Sequence, residues 1–426
     1  MNSLQRVQPP VFPIENIVIP DPISFRLSNG VPVYFIEAGT EEIMRLEFTF
    51  RAGQAKEYLP LLASTTNMML SEGSQNYSSE DLNSLLDYYG VFYNLSAEKD
   101  QAGIVLFFLS NHIEKILDLS REILFRPVFP ETELNSLMKK RLQWYMVNRE
   151  KVQNLAIDQF FEAVFGKHHP YGYQVGEQDF ERMNPALLLD FHSKYYTPDN
   201  MAVIISGKIH EKTTELLNYY FGDIPLKKIY TEDSVNILKG EKRKKVHINK
   251  PGTVQSAIRI GSSTINKRHP DYPGLKILDS VLGGYFGSRL MKNIREEKGY
   301  TYGISSSVSS LDLTGYKVIS TEVGKKNCQK TIDEIYSEIR LLQSVLVKKE
   351  EMAVVRNYMS GEMVRMFDGP FALAESFKSA WEFGLDNSYY YRLAEKIKTI
   401  KPDEIIELSR TYYNIDELYQ VTAGSK

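Results

Sequence analysis

Two stretches of this chain repeat each other, and the repeat constrains the fold more than any single motif. Met183–Gly207, MNPALLLDFHSKYYTPDNMAVIISG, runs in step with Ile400–Gly424, IKPDEIIELSRTYYNIDELYQVTAG, at a constant offset of 217. The offset pairs Pro185 with Pro402, Leu188 with Ile405, Phe191 with Leu408, Tyr195 with Tyr412, Tyr196 with Tyr413 and Gly207 with Gly424. Further upstream, Glu133, Leu134 and Leu137 pair with Glu351, Met352 and Val355 at an offset of 218. So long a period is not that of a solenoid. It implies two tandem copies of one domain of about 210 residues, since 426 residues exceed one ordinary core.

Local patterns fill in the copies. Asn29-Gly30 marks a tight turn between strands at Ser24–Leu27 and Val31–Ile36, and Met44–Phe50 alternates as a strand does. Pro60–Glu72 reads as a helix with proline in its first turn and Gly73 past its end. Ser78–Tyr89 is a second helix, opened by a Ser78/Asp81 capping box. Strands Val91–Ser96 and Ile104–Leu109 follow. Helices are expected from Asn111, over Glu131–Glu150, Asn154–Phe165 and Pro185–Tyr195, then a strand at Ala202–Ser206.

Strands first, then helices interleaved with more strands, define an α+β class. Two tandem homologous domains result, each with helices packed on a mostly antiparallel sheet. The expected division is a proline-rich extended arm over 1–22, a first domain over 23–225, a linker over 226–245 and a second domain over 246–426. The basic run LKGEKRKKV lies in the linker and reads as a solvated connector. Two lobes joined this way present a cleft between them.

A net charge of -3 gives no electrostatic case for nucleic acid or an anionic membrane. The single cysteine, Cys328, excludes a disulfide framework and a cysteine-based zinc site within one chain. No apolar run approaches the roughly 18 residues of a spanning helix. The N-terminus has no apolar core of signal-peptide length, so the expected location is cytoplasmic.

The chemistry concentrates in Ser288–Ser307, SRLMKNIREEKGYTYGISSS. Ser288 reads as an N-cap, Leu290, Met291 and Ile294 as a helical face, Gly299 as the stop, and Tyr300, Tyr302 and Ile304 as a strand. Arg295 then lies in the last helical turn and Tyr302 early in the strand. A guanidinium and a phenol so placed suit a carbonyl oxygen that gains charge during acyl transfer. The glycines of the preceding LGGYFGS read as a loop allowing close backbone approach. The seven histidines include no pair at i, i+4, and no G-x-S-x-G elbow occurs.

Together, the tandem repeat, LGGYFGSRL and IREEKGYTY resemble the pitrilysin/insulinase-type metallopeptidases, or inverzincins, in particular the two-domain subunits related to mitochondrial processing peptidase. SNGVPVYFIE, Arg51-Ala52-Gly53 and HPYG at His169–Gly172 extend the resemblance over residues 20–426. It implies a catalytic helix carrying His-x-x-Glu-His. Here those positions read Ser64, Thr65, Thr66, Asn67 and Met68, and the third ligand, a glutamate, falls near Gln143, Trp144 or Tyr145. The resemblance therefore implies that this chain binds no cofactor of its own. It would form half of a clamshell with a zinc-bearing sister subunit, and Arg295 and Tyr302 would bind an unfolded peptide substrate. The alternative is a non-enzymatic scaffold or peptide-binding homologue that pairs with itself.

Overall fold

The computed structural model describes residues 18–226, 240 and 242–425. The expected arm lies outside the described residues up to residue 17, and most of the expected linker, with Lys239 of its basic run, lies outside them too.

The first copy builds one sheet from β1 (Ile23–Arg26), β2 (Pro32–Glu37), β3 (Ile43–Phe50), β4 (Phe92–Ala97), β5 (Ala102–Leu109) and β6 (Met201–Gly207). The second builds another from β7 (Lys245–Asn249), β8 (Gln255–Thr264), β9 (Thr301–Ser310), β10 (Gly315–Gly324) and β11 (Tyr419–Gly424). The strand orders are β1-β2-β6-β3-β5-β4 and β7-β11-β8-β10-β9. Apart from the extra β1 hairpin they are the same topology. In each sheet one pair is parallel, β2 with β6 and β11 with β7, and every other pair is antiparallel.

The repeat survives at the level of single elements. Helices Pro185–Tyr195 and Pro402–Tyr412 stand 217 residues apart at both ends. The following 3-10 turns, Pro198–Asn200 and Ile415–Glu417, keep the same spacing. Gly207 and Gly424 both end their strands at positive φ, +107° and +153°. There a side chain on Gly207 would lie 2.2 Å from the Ile43 carbonyl oxygen, so backbone conformation and contact both demand glycine.

What the periodicity did not show is how the copies join. In β3, Met44, Leu46, Phe48 and Phe50 face the core of the first copy. The opposite face, with Arg45 and Glu47, is covered by helix Gly369–Trp381 of the second copy. Arg45 pairs with Glu47 (2.7 Å) and with Glu375, Lys378 reaches Glu47 at 2.5 Å, and Trp381 Nε1 donates to Tyr34 Oη at 2.8 Å. Reciprocally, helix Val152–Phe165 of the first copy lays Ala156, Phe160 and Ala163 against Ala257, Val421 and Ala423 of the second sheet. These two helices begin 217 residues apart, so each copy lends the same helix to its neighbour's sheet. The lobes are therefore interlocked rather than strung on a linker. A cavity of about 770 Å³ remains between them, lined among others by Glu47, Lys99, Lys267 and Glu382.

Several local expectations shift. The helix expected over Pro60–Glu72 is Leu62–Met68, followed by a 3-10 turn, because Leu61 sits at φ +74° and breaks the first turn. Asn111 does not cap its helix; it lies in a 3-10 turn ahead of Ile113–Phe125. The Ser78 cap is present, its Oγ accepting from the Asp81 N–H at 3.1 Å.

Candidate functional site

The segment after Ser288 winds as a π-helix over Met291–Glu297 rather than as the expected α-helix; the Lys298 N–H reaches back five residues to the Asn293 carbonyl at 3.1 Å. The Ser288 carbonyl accepts from the Lys292 N–H, but its buried hydroxyl has no partner among the described residues, so the side-chain cap is absent. Leu290, Met291 and Ile294 are buried as the spacing indicates. Arg289 ties the segment to helix Lys349–Arg365 by a two-pronged pair with Glu351, at 2.7 and 3.0 Å. The preceding glycine loop does allow close approach: a Cβ on Gly283 would lie 2.7 Å from the Ser306 backbone nitrogen.

Gly299, at φ +64°, turns the chain into β9. Among the described residues this is an edge strand, paired only with β10. Its register slips between Thr321 and Val323, so Tyr302 and Gly303 oppose the single residue Glu322. Such a bulge re-aims side chains. The threonine hydroxyls satisfy the groups it frees: Thr301 Oγ1 donates to the Glu322 carbonyl at 2.7 Å, and Thr321 Oγ1 to the Gly303 carbonyl at 2.8 Å. Tyr302 consequently projects into solvent, 95% exposed. Arg295 is drawn to it through the backbone. Its Nε donates to the Tyr302 carbonyl at 3.0 Å, and its guanidinium carbon lies 4.5 Å from the centre of the Phe286 ring. These contacts fix the side chain yet leave the two terminal guanidinium nitrogens and the phenol without a hydrogen-bond partner among the described residues. The sequence-read pair is thus one unit with spare donors.

The positions Ser64, Asn67 and Met68 behave differently. Asn67 is buried and its Nδ2 donates to the Gly103 carbonyl and to Tyr196 Oη, both at 3.1 Å. Met68 is 43% exposed. Across the helix pair, Ser64 meets Arg141 of helix Glu131–Asn148. Arg141 Nη2 donates to Ser64 Oγ at 2.9 Å and Nη1 to Thr65 Oγ1 at 2.6 Å. The third-ligand position was expected near Gln143, Trp144 or Tyr145. Arg141, about one turn earlier on the same helix, is the residue that bonds Ser64, while Trp144 and Tyr145 line the cavity beside it. Trp144 is exposed, and Tyr145 donates to the Val175 carbonyl. Burial pulls the Arg141 guanidinium below its ordinary value, while Glu57 opposes that shift. Glu57 itself accepts the Ala63 N–H at 2.7 Å and the Tyr173 hydroxyl, and burial pushes its carboxyl up to about 7. A cavity of about 410 Å³ lies beside these groups.

Arg141, Glu57 and Tyr173 were missed from sequence. Arg141 had a legible signal, since it stands on the stripe Leu134, Met138, Tyr145, where a charge is out of place. Glu57 and Tyr173 had none. His169 of HPYG is buried, and its Nδ1 accepts the Tyr171 N–H at 3.1 Å, a turn-forming role. Asp100 joins the copies, accepting from Tyr171 Oη and from the Asp312 N–H. Among the described residues, no group of three or more His, Cys, Asp or Glu side chains is arranged to hold a metal ion, and no helix is long and apolar enough to cross a membrane.

Fold and site together define a two-copy α+β chain with one open pair of donors on an edge strand. A family model described as "Peptidase M16 inactive domain" matches residues 182–359. Among curated proteins, "Uncharacterized zinc protease YmxG" of Bacillus subtilis is 23% identical over 298 residues, 70% of this chain and 72% of that one. "Probable inactive metalloprotease YmfF" of the same organism is 19% identical over 90% of this chain and 96% of its own length. "Non-peptidase homolog YmxG" of Helicobacter pylori is 22% identical over 64% of each. Among solved structures, a peptidase M16 inactive domain from Pseudomonas fluorescens matches with TM-score 0.83 and 21% identity, over 95% of this chain and 98% of its own. A protease from Helicobacter pylori matches with TM-score 0.85 and 16% identity, over 96% and 100%. The chain is similar to zinc-protease homologues of the M16 type, the likeness its motifs carry.

Proposed function

We propose that this chain is the zinc-less subunit of a two-chain metalloendopeptidase and that Arg295 and Tyr302 bind and orient the peptide. The observation that carries this reading is the bulged edge strand. It presents a phenol and a guanidinium with unspent donors beside a row of exposed small residues, Gly303, Ser305 and Ser307. An extended peptide can pair with the open side of β9 while these donors meet a carbonyl oxygen. In a complex, the sister subunit's zinc would supply the activated water. This chain's residues hold the peptide and place its carbonyl. The first copy supplies wall and interface, and the assembled pair forms the two halves of a cytoplasmic clamshell.

The test mixes this chain with a zinc-bearing sister and measures cleavage of an unstructured peptide. Arg295→Ala or Tyr302→Phe should lower kcat/KM while the pair still assembles. Wild-type cleavage by both variants would sink the assignment. The second reading is a self-paired, non-enzymatic peptide-binding protein, favoured by the inactive and non-peptidase descriptions of relatives. Peptide binding by the chain alone, with no gain on adding the sister, would select it.

A further inference from the structure

The M16 resemblance makes zinc the group to test against the first copy, and the residues do not fit it. A hydroxyl at 64 and a thioether at 68 are poor zinc donors, and Asn67 is turned inward onto Gly103 and Tyr196. Missing ligands are only half of the misfit. The side chain that meets Ser64 across the helix pair carries a positive charge of its own.

We infer that Arg141 is a built-in cation at this degenerate position. It replaces the mechanical role of a metal by pinning helix Leu62–Met68 to helix Glu131–Asn148, and it bars a divalent ion even when ligands are restored. Three observations carry this. The guanidinium fork spans two successive residues, Ser64 and Thr65, at 2.9 and 2.6 Å, so one side chain clamps the helix as a bridging ion does. Thr65 Oγ1 in turn contacts Met138 Sδ at 3.9 Å, which continues the seam between the helices. Arg141 forms no ion pair with a carboxylate among the described residues. Glu57, the nearby acid, is engaged with the Ala63 N–H and Tyr173. A second cation at the same place would meet the guanidinium's charge, with Glu57 already engaged elsewhere.

The experiment compares purified full-length chains after equilibration with zinc and removal of the excess. The triple variant Ser64→His, Asn67→Glu, Met68→His restores two imidazoles and a carboxylate one turn apart. It should retain no stoichiometric zinc. Adding Arg141→Glu, which supplies a carboxylate ligand and removes the charge, should give one zinc per chain and a zinc-dependent rise in Tm. A triple variant that loads one zinc per chain overturns the inference, as does a folded quadruple variant that loads none. The single variants test the clamp without metal. Arg141→Met should lower Tm by about 2–4 °C and Arg141→Lys by less, in metal-free buffer. Arg141→Met with wild-type Tm overturns the pinning role.

Discussion

The edge strands of the two sheets, β4 and β9, show what the copies share and where they part. Each is entered from a helix through a left-handed glycine, Gly90 and Gly299, both at φ +64°. Counting from those glycines, Leu86 stands where Arg295 does and Tyr93 where Tyr302 does. Leu86 is buried in the first core, and Tyr93 Oη donates to Asn83 at 2.8 Å. The β4–β5 register is continuous, whereas β9 bulges at Tyr302. By residue type the Ser288–Ser307 stretch has no evident counterpart in the first half. Its backbone has one; its chemistry does not. In the first copy the two matching positions close on the protein itself, Leu86 in the core and Tyr93 on Asn83. In the second the donors are left open. Closed hydrogen bonds stabilise a fold, and open, positioned donors are free to meet a ligand.

The comparison breaks most sharply at Arg295. If it acts on peptide, Arg295→Ala should cut kcat/KM of the assembled pair by about 10²–10³ while Tm stays put. Its structural counterpart should do the reverse. Leu86→Ala removes a buried side chain and should cost about 3 kcal/mol in denaturant unfolding, with peptide handling unchanged. A loss of cleavage without a loss of stability in Leu86→Ala would erase the distinction.

The closed character of the first copy also predicts a pH dependence. The Glu57 carboxyl is raised from 4.5 to about 7 by burial, so the folded chain holds that proton more tightly than the unfolded one. Stability should therefore fall as pH rises from about 4.5 to 7, by about 3 kcal/mol in all, and level off above. Glu57→Gln should flatten that slope in urea titrations across the same range. The smallest effect separates the two tyrosines. Tyr93→Phe should cost about 1 kcal/mol for its lost hydrogen bond, and Tyr302→Phe should stay within about 0.5 kcal/mol of wild type.

Much of this was written in local sequence. The repeat, the paired helices at Pro185 and Pro402, the Ser78 cap and the Arg295–Gly299–Tyr302 spacing depend on neighbours a few residues away or on a fixed offset. Such features are carried by periodicity and backbone preference, which a linear reading sees. The π-helical winding after Ser288 was not visible, because its apolar residues serve an α-helix equally well. Nor was the bulge, which is set by the register against β10.

The sequence by itself determined that there are two copies of one α+β domain, that positions 64 and 68 lack the zinc ligands and position 67 the general base of the family it resembles, and that Arg295 and Tyr302 stand a fixed step apart. Only the tertiary structure decided that the copies exchange helices Val152–Phe165 and Gly369–Trp381, that Arg141 is the residue bonded to Ser64, and that Glu57 lies beside it. The reason is physical. Each of these depends on which faces meet across tens or hundreds of residues. Burial and charge compensation fix that choice in space, and no spacing along the chain encodes it.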